Sequence, residues 1–191
     1  MITTRDRIVE AADKLFYEQG FERTSFADVA AAVAISRGNF YYHFKTKDEI
    51  LDAVIQRRLA NTRAMLDQWQ IEGASPAARI GCFIEILIRN QGKIKMYGCP
   101  VGTLSTELAK LQHPASTNST ELFGLFHDWL SHQFALLGRE QDASQLALHL
   151  LARSQGIATL ATAFQDSAFI EREVQLLHNW LQSQLPQTTH R

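Results

Sequence analysis

Residues 24–47, TSFADVAAAVAISRGNFYYHFKTK, constrain the fold more than any other part of this chain. They read as two short helices around a tight turn. In the first, FADVAAAVA, Val29, Ala30 and Val33 keep one side apolar and small enough for a close helix crossing. The second starts at Ser36, a good N-cap, and runs through Arg37, Gly38, Asn39, Phe40, Tyr41, Tyr42, His43 and Phe44. Phe40 and Phe44 lie four apart and can anchor a core face, which leaves Arg37, Asn39, Tyr42 and His43 to point elsewhere. From Ser36 to Lys47 there are three fixed positive charges and no acid, on a chain of net charge −1. A local surplus on a near-neutral chain is what a phosphate-facing surface requires. The pattern is that of a helix-turn-helix nucleic-acid reader.

Helical spacing dominates the remainder and strand signals are nearly absent, so the fold class is all-α with about nine helices. The spacing predicts a first helix over 4–19, with Ile8, Ala11, Ala12, Leu15 and Phe16 on one face and Gly20 as its C-terminal cap. Thr46 and Glu49 form a capping-box pattern that starts a long helix, read as a lever between a domain over 1–47 and a second over 48–191. GASP at 73–76 opens the next helix, expected to end near Gly92. VGTLSTELAKL reads as a short helix, HPASTNS as a loop and 120–137 as an amphipathic helix. Asp142 and Asp166 or Ser167 are expected to cap the last two.

The first 60 or so residues also resemble the TetR family of bacterial transcriptional regulators. The motif residues are Gly20, Phe21, Thr24, Ser25, Asp28, Val29, Ala30, Ile35, Ser36, Gly38, Phe40, Tyr41, Phe44 and Lys47. One position departs: the turn usually holds Gly, and here it is Ala34, which costs roughly 1 kcal/mol if left-handed and leads us to expect a slightly different turn. The resemblance implies a homodimeric regulator, commonly a repressor, on a palindromic operator, with a small-molecule effector held in the second domain. Arg37 and Asn39 suit base contact, Arg to guanine and Asn to adenine, and Gly38 lets the backbone approach DNA. His43, Lys47, Ser36, Thr24 and Ser25 are phosphate-side candidates, Tyr41 suits a phosphate contact or packing at the helix edge, and Tyr42 suits either a phosphate or a base. Two heads on a dimer imply half-sites roughly 34–36 Å apart.

By the same resemblance, effector-lining candidates are Phe83, Leu87, Met96, Cys99, Leu104, Leu108, Phe123, Phe126, His127, Trp129 and Leu130, a mostly apolar set that suits a hydrophobic or aromatic ligand. The last two helices imply a dimer interface. Leu146, Leu150, Ala158, Leu160, Leu177, Trp180 and Leu181, with Leu148, Ala161 and Leu176, are more apolar there than a solvated surface needs. Cys99 lies in YGCPVGTLSTELA, before a helix whose dipole favours a thiolate. That stretch resembles the Gly-Cys-x-x-Gly-x-Leu-x-x-Glu run of a family branch with cysteine sensors. A small residue at a helix junction is the plainer reading.

Other classes find little support. No apolar run reaches the roughly 18 residues a membrane span needs. MITTRDRIVEAADKLF is charged and periodic, unlike a secretion signal, and Cys82 and Cys99 form no disulfide framework, so a reducing cytoplasm is expected. No His/Cys/carboxylate cluster has metal spacing, and no Gly-Lys-Ser/Thr loop marks a nucleotide site, so neither metal nor cofactor is expected. Two rivals stay open: a DNA-binding regulator without an effector pocket, and a thiol enzyme using Cys99, for which the sequence picks no base.

Overall fold

The computed structural model describes residues 2–185. Among them are ten helices and no strand: α1 Thr4–Gln19, α2 Phe26–Val33, α3 Arg37–His43, α4 Lys47–Glu72, α5 Pro76–Arg89, α6 Gln91–Tyr97, α7 Pro100–Lys110, α8 Ser116–Leu136, α9 Ala143–Phe164 and α10 Ser167–Gln184. They form two compact units. The first joins the chain up to Asn61 with Pro100–Leu122; the second joins Thr62–Cys99 with the chain from Phe123. The expected domain over 1–47 is therefore the leading part of a unit that also takes in half of α4 and all of α7.

In the first unit, α1 begins with a capping box in which Thr3 and Asp6 exchange bonds between side chain and backbone amide. It buries Ile8, Val9, Ala12 and Phe16, as its spacing predicts. Gly20 ends it at φ +94°, a conformation that side chains rarely adopt. α2 repeats the device: Ser25 accepts from the Asp28 amide, and the Asp28 carboxylate accepts from the Ser25 amide and hydroxyl. Those hydrogen bonds hold the Asp28 carboxyl below its ordinary range.

The turn after α2 corrects the expectation of a different conformation. Ala34 takes φ 56°, ψ 49°, the left-handed geometry that glycine would adopt. The Ile35 amide reaches Ala30 O at 3.2 Å and the Ala34 amide reaches Ala31 O at 3.1 Å. These two bonds make a Schellman closure that fixes the exit of α2. The chain accepts the strain on Cβ to keep that closure.

The second unit packs α5, α6, α9 and α10 around Ile80, Ile84, Phe134, Leu150 and Leu177, with Trp69 from α4. Ser75 caps α5 and Pro76 fills its first position, where no amide is required. The helix expected to run to about Gly92 stops at Asn90, whose amide and side chain both bond Ile86 O, so α6 is a separate element. α8 starts inside the expected HPASTNS loop: the Ser119 amide bonds Ala115 O and its buried hydroxyl turns back to Ser116 O at 2.8 Å. Asp142 stands at the N-cap of α9 without capping it, because its carboxylate pairs with Arg139. That pairing holds the Asp142 carboxyl below its usual range. Asp166 does cap α10, accepting from the Ala168 amide.

The left-handed alanine gives a direct test. Ala34→Gly should raise unfolding stability by about 0.5–1 kcal/mol in urea titrations, the relieved Cβ strain outweighing the added chain entropy of glycine. A loss of stability would contradict the assigned turn geometry.

Candidate nucleic-acid interface

The candidate surface is built by burying one side of a seven-residue helix. Phe40 and Phe44 are 1% exposed, and Phe26 of α2 sets its ring 5.1 Å from Phe40 and 5.6 Å from Tyr41. These tilted and edge-on aromatic contacts fix the roll of α3 about its axis. The opposite side is left open: Ser36, Arg37, Gly38 and Asn39 are exposed, Tyr42 is 80% exposed and Tyr41 45%. The Ser36 hydroxyl accepts from the Asn39 amide at 3.3 Å, as an N-cap should. A Cβ at Gly38 would meet no atom within 4 Å, so the chain's own packing does not require glycine there. His43 is half-buried at the end of α3.

Two expected phosphate contacts point inward instead. Thr24 is 1% exposed, and its hydroxyl donates to Gly20 O at 2.7 Å. The Lys47 ammonium donates to the carbonyls of Phe21, Glu22 and Thr24 at 3.0, 3.1 and 3.3 Å, and sits 4.3 Å from the Phe21 ring centre. An ammonium has three protons, and these three carbonyls use them all. Ser25 is exposed, with its hydroxyl engaged by Asp28. The Thr46 hydroxyl accepts from the Glu49 amide as expected, but Glu49 turns its carboxylate to the Lys45 amide rather than completing the box.

The structure also adds Arg5 and Arg7, two cations of α1 outside the basic run. Arg5 is exposed on α1, with its guanidinium 4.8 Å from the Phe44 ring centre. Arg7 donates to Val33 O at 2.9 Å and so braces the end of α2. Lys45, the second charge of the basic run, is exposed and donates to one carbonyl in the last turn of α3, Tyr41 O. The charge run of the motif gives no clue to Arg5 and Arg7, which come from another helix.

The effector and interface candidates divide. Phe83, Leu87, Phe126 and Leu130 are buried in the second unit, where Phe83 and Phe126 meet at 5.5 Å, and Phe123 and Trp129 pack on them half-buried. The half-buried His127 bonds Asp128 and Ser144, both at 2.9 Å. Met96 is 62% exposed and lines no interior. Leu104 and Leu108 are buried in the first unit, where α7 packs on α1, and do not belong to the second unit's core. Cys99 is half-buried, with the Gln155 amide nitrogen 3.4 Å from its sulfur. Of the interface set, Leu150, Ala158, Leu177 and Leu181, with Ala161, are consumed by the core of their own unit. Leu146 and Trp180 are half-buried, while Leu148, Leu160 and Leu176 are exposed together with Phe164.

Comparison with known proteins agrees with this geometry. Residues 8–54 match the family described as bacterial regulatory proteins, tetR family. An uncharacterized HTH-type transcriptional regulator of Lactococcus lactis is 33% identical over 116 residues, covering 56% of each protein. The HTH-type transcriptional regulator TtgR of Pseudomonas putida is 34% identical over 86 residues, 45% of this chain and 40% of that protein. The chain thus matches about half the length of these curated relatives. Among solved structures, a TetR transcriptional regulator from Legionella pneumophila superposes with a TM-score of 0.82 at 22% identity, covering 97% of this chain and 99% of that one. The reduced form of E. coli NemR does so at 0.77 and 19%, covering 93% and 96%. Residues 8–54 thus carry the helix-turn-helix segment of the family described as bacterial regulatory proteins, tetR family, and the chain shares the fold of the TetR regulator structure from Legionella pneumophila.

Proposed function

We propose that the protein is a DNA-binding transcriptional regulator, a repressor acting as a homodimer on an inverted-repeat operator. One observation carries the reading: α3 buries its aromatic side and leaves Arg37, Gly38 and Asn39 exposed together at its first turn. Helix-turn-helix proteins bring that end of the recognition helix to base edges in the major groove. Arg37 suits a bidentate bond to guanine and Asn39 to adenine. Ser25, Ser36, Tyr41, Tyr42 and His43 would make the phosphate-side contacts. Gly38 allows close backbone approach. The curated relatives, named as transcriptional regulators, support the same reading.

The second unit would carry the effector response. Its aromatic cluster of Trp69, Phe83, Phe126 and Trp129 suits an apolar or aromatic molecule. Modification of the Cys99 thiol is the other route to release. Either input works only by favouring the dimer that does not fit DNA over the one that does. A ligand screen by thermal shift finds the effector, and its failure across apolar compounds favours a regulator without a pocket.

Dimerisation would use the exposed apolar residues of α9 and α10. Leu160→Glu and Phe164→Glu should each leave the fold intact and yield a monomer by light scattering, with weakened operator binding. Dimers of undiminished stability would place the interface elsewhere.

DNA reading is tested by fluorescence anisotropy on a duplex recovered by random-site selection. Arg37→Ala should lose about 1–3 kcal/mol of specific binding. Gly38→Ala should unfold no more easily than the parent, helix propensity favouring alanine by up to about 1 kcal/mol, yet bind DNA more weakly. Equal binding by all three proteins would contradict the assigned face.

A further inference from the structure

We infer that Glu107 is a positioning residue for DNA binding, holding the connector between α1 and α2 from a helix far along the chain. The inference rests on the DNA-reading assignment above. Glu107 lies on α7, in the same unit as the connector. Its carboxylate accepts from two consecutive amides, Phe21 N to Oε2 and Glu22 N to Oε1, each at 2.9 Å. Neither amide has a helical partner, because α1 has ended and α2 has not begun. Charge-assisted bonds of this kind are about twice as strong as neutral ones.

Gly20 shows how closely the carboxylate is seated. A Cβ there would stand 3.0 Å from Glu107 Oε1, so the carboxylate would have to give by a few tenths of an ångström, and the φ of +94° separately favours glycine. The carbonyls of Phe21, Glu22 and Thr24 are taken by Lys47 at the start of α4. The connector is therefore fixed through its carbonyls by α4 and through its amides by α7. His113, just after α7, adds a second hold: its ring meets Phe21 at 5.2 Å. Its Nδ1 accepts from the Ala115 amide, so Nε2 carries the proton and donates to Asp48 at 3.3 Å.

The helices after the connector depend on it. Thr24 and the Ser25 cap set where α2 begins, and the Ala34 turn then sets α3. Releasing the two amides would let α2 and α3 drift from the binding pose, so a smaller fraction of molecules would be competent. Charge alone predicts the reverse, because removing a carboxylate from a DNA-binding unit reduces repulsion of phosphate.

The two signs make the test decisive. Wild type, Glu107→Ala and Glu107→Gln are titrated against the selected duplex by anisotropy at several salt concentrations, with thermal unfolding and amide hydrogen exchange in parallel. Glu107→Ala should bind about tenfold more weakly, as when the competent fraction falls to about a tenth. The salt slope should stay unchanged, since Glu107 touches no phosphate. Glu107→Gln, which keeps one acceptor, should fall between. Phe21 and Glu22 amides should exchange faster while α1 and α4 stay protected. Unchanged or tighter binding overturns the role, as does a loss that tracks unfolding of the whole unit. A wild type that selects no duplex overturns the DNA-reading assignment itself, and this role with it; selection by wild type, matched by Glu107→Ala, overturns Glu107 alone.

Discussion

The proposed reading head depends on one half-buried cation. Lys47 stands at the first position of α4 and reaches back to the carbonyls of Phe21, Glu22 and Thr24. Those carbonyls belong to a stretch with no helix of its own, and two of them, of Phe21 and Thr24, are partly buried, where an unmet carbonyl is costly. The ammonium satisfies them together, over the face of an aromatic ring, in an arrangement that strengthens each contact. Phe21 is locked in turn between Phe16 and His113, both edge-on at 5.2 Å. The start of α2 is thereby fixed before any residue of α2 contributes.

From that point the geometry propagates by short, stiff steps. The Ser25–Asp28 box starts α2, the closure at Ala34 ends it, and Arg7 braces Val33 from α1. Phe26 passes the orientation on to Phe40 and Tyr41. Arg37 and Asn39 contribute nothing to this framework, and that is their value: their side chains are open to solvent on a helix whose other side cannot turn. Exposed polar residues on a rigid support are what a base-reading surface needs, since each bond must be made without first ordering its donor.

Much of this was legible in the residues themselves. The all-α class, the ends of α1 and α2, the Ser36 cap and the burial of Phe40 and Phe44 derive from spacing and cap chemistry. Those signals are local, and local physics decides them. What stayed hidden was partnership at a distance. Lys47 in a basic run reads as a phosphate contact, yet its partners lie 23 to 26 residues away. Leu104 and Leu108 have the period of a buried helix face, but a period does not say which unit covers it. Leu150, Ala158, Leu177 and Leu181 were apolar enough for an interface because they form their own core. Ala34 erred in the other direction: the cost of its left-handed geometry was visible, and the closure that outweighs it was not.

The measurement that bears most directly on this account is the salt dependence of duplex binding by Lys47→Met, paired with its unfolding free energy. If Lys47 anchors the connector, the substitution should remove about 1–3 kcal/mol of stability, as expected when partly buried acceptors lose a charged donor. Binding should weaken by a factor that does not change with salt. If Lys47 instead holds a phosphate, stability will be unchanged and the slope of log K against log salt will fall by about 1. That second result would contradict the anchor on which the rest of the reading head has been built.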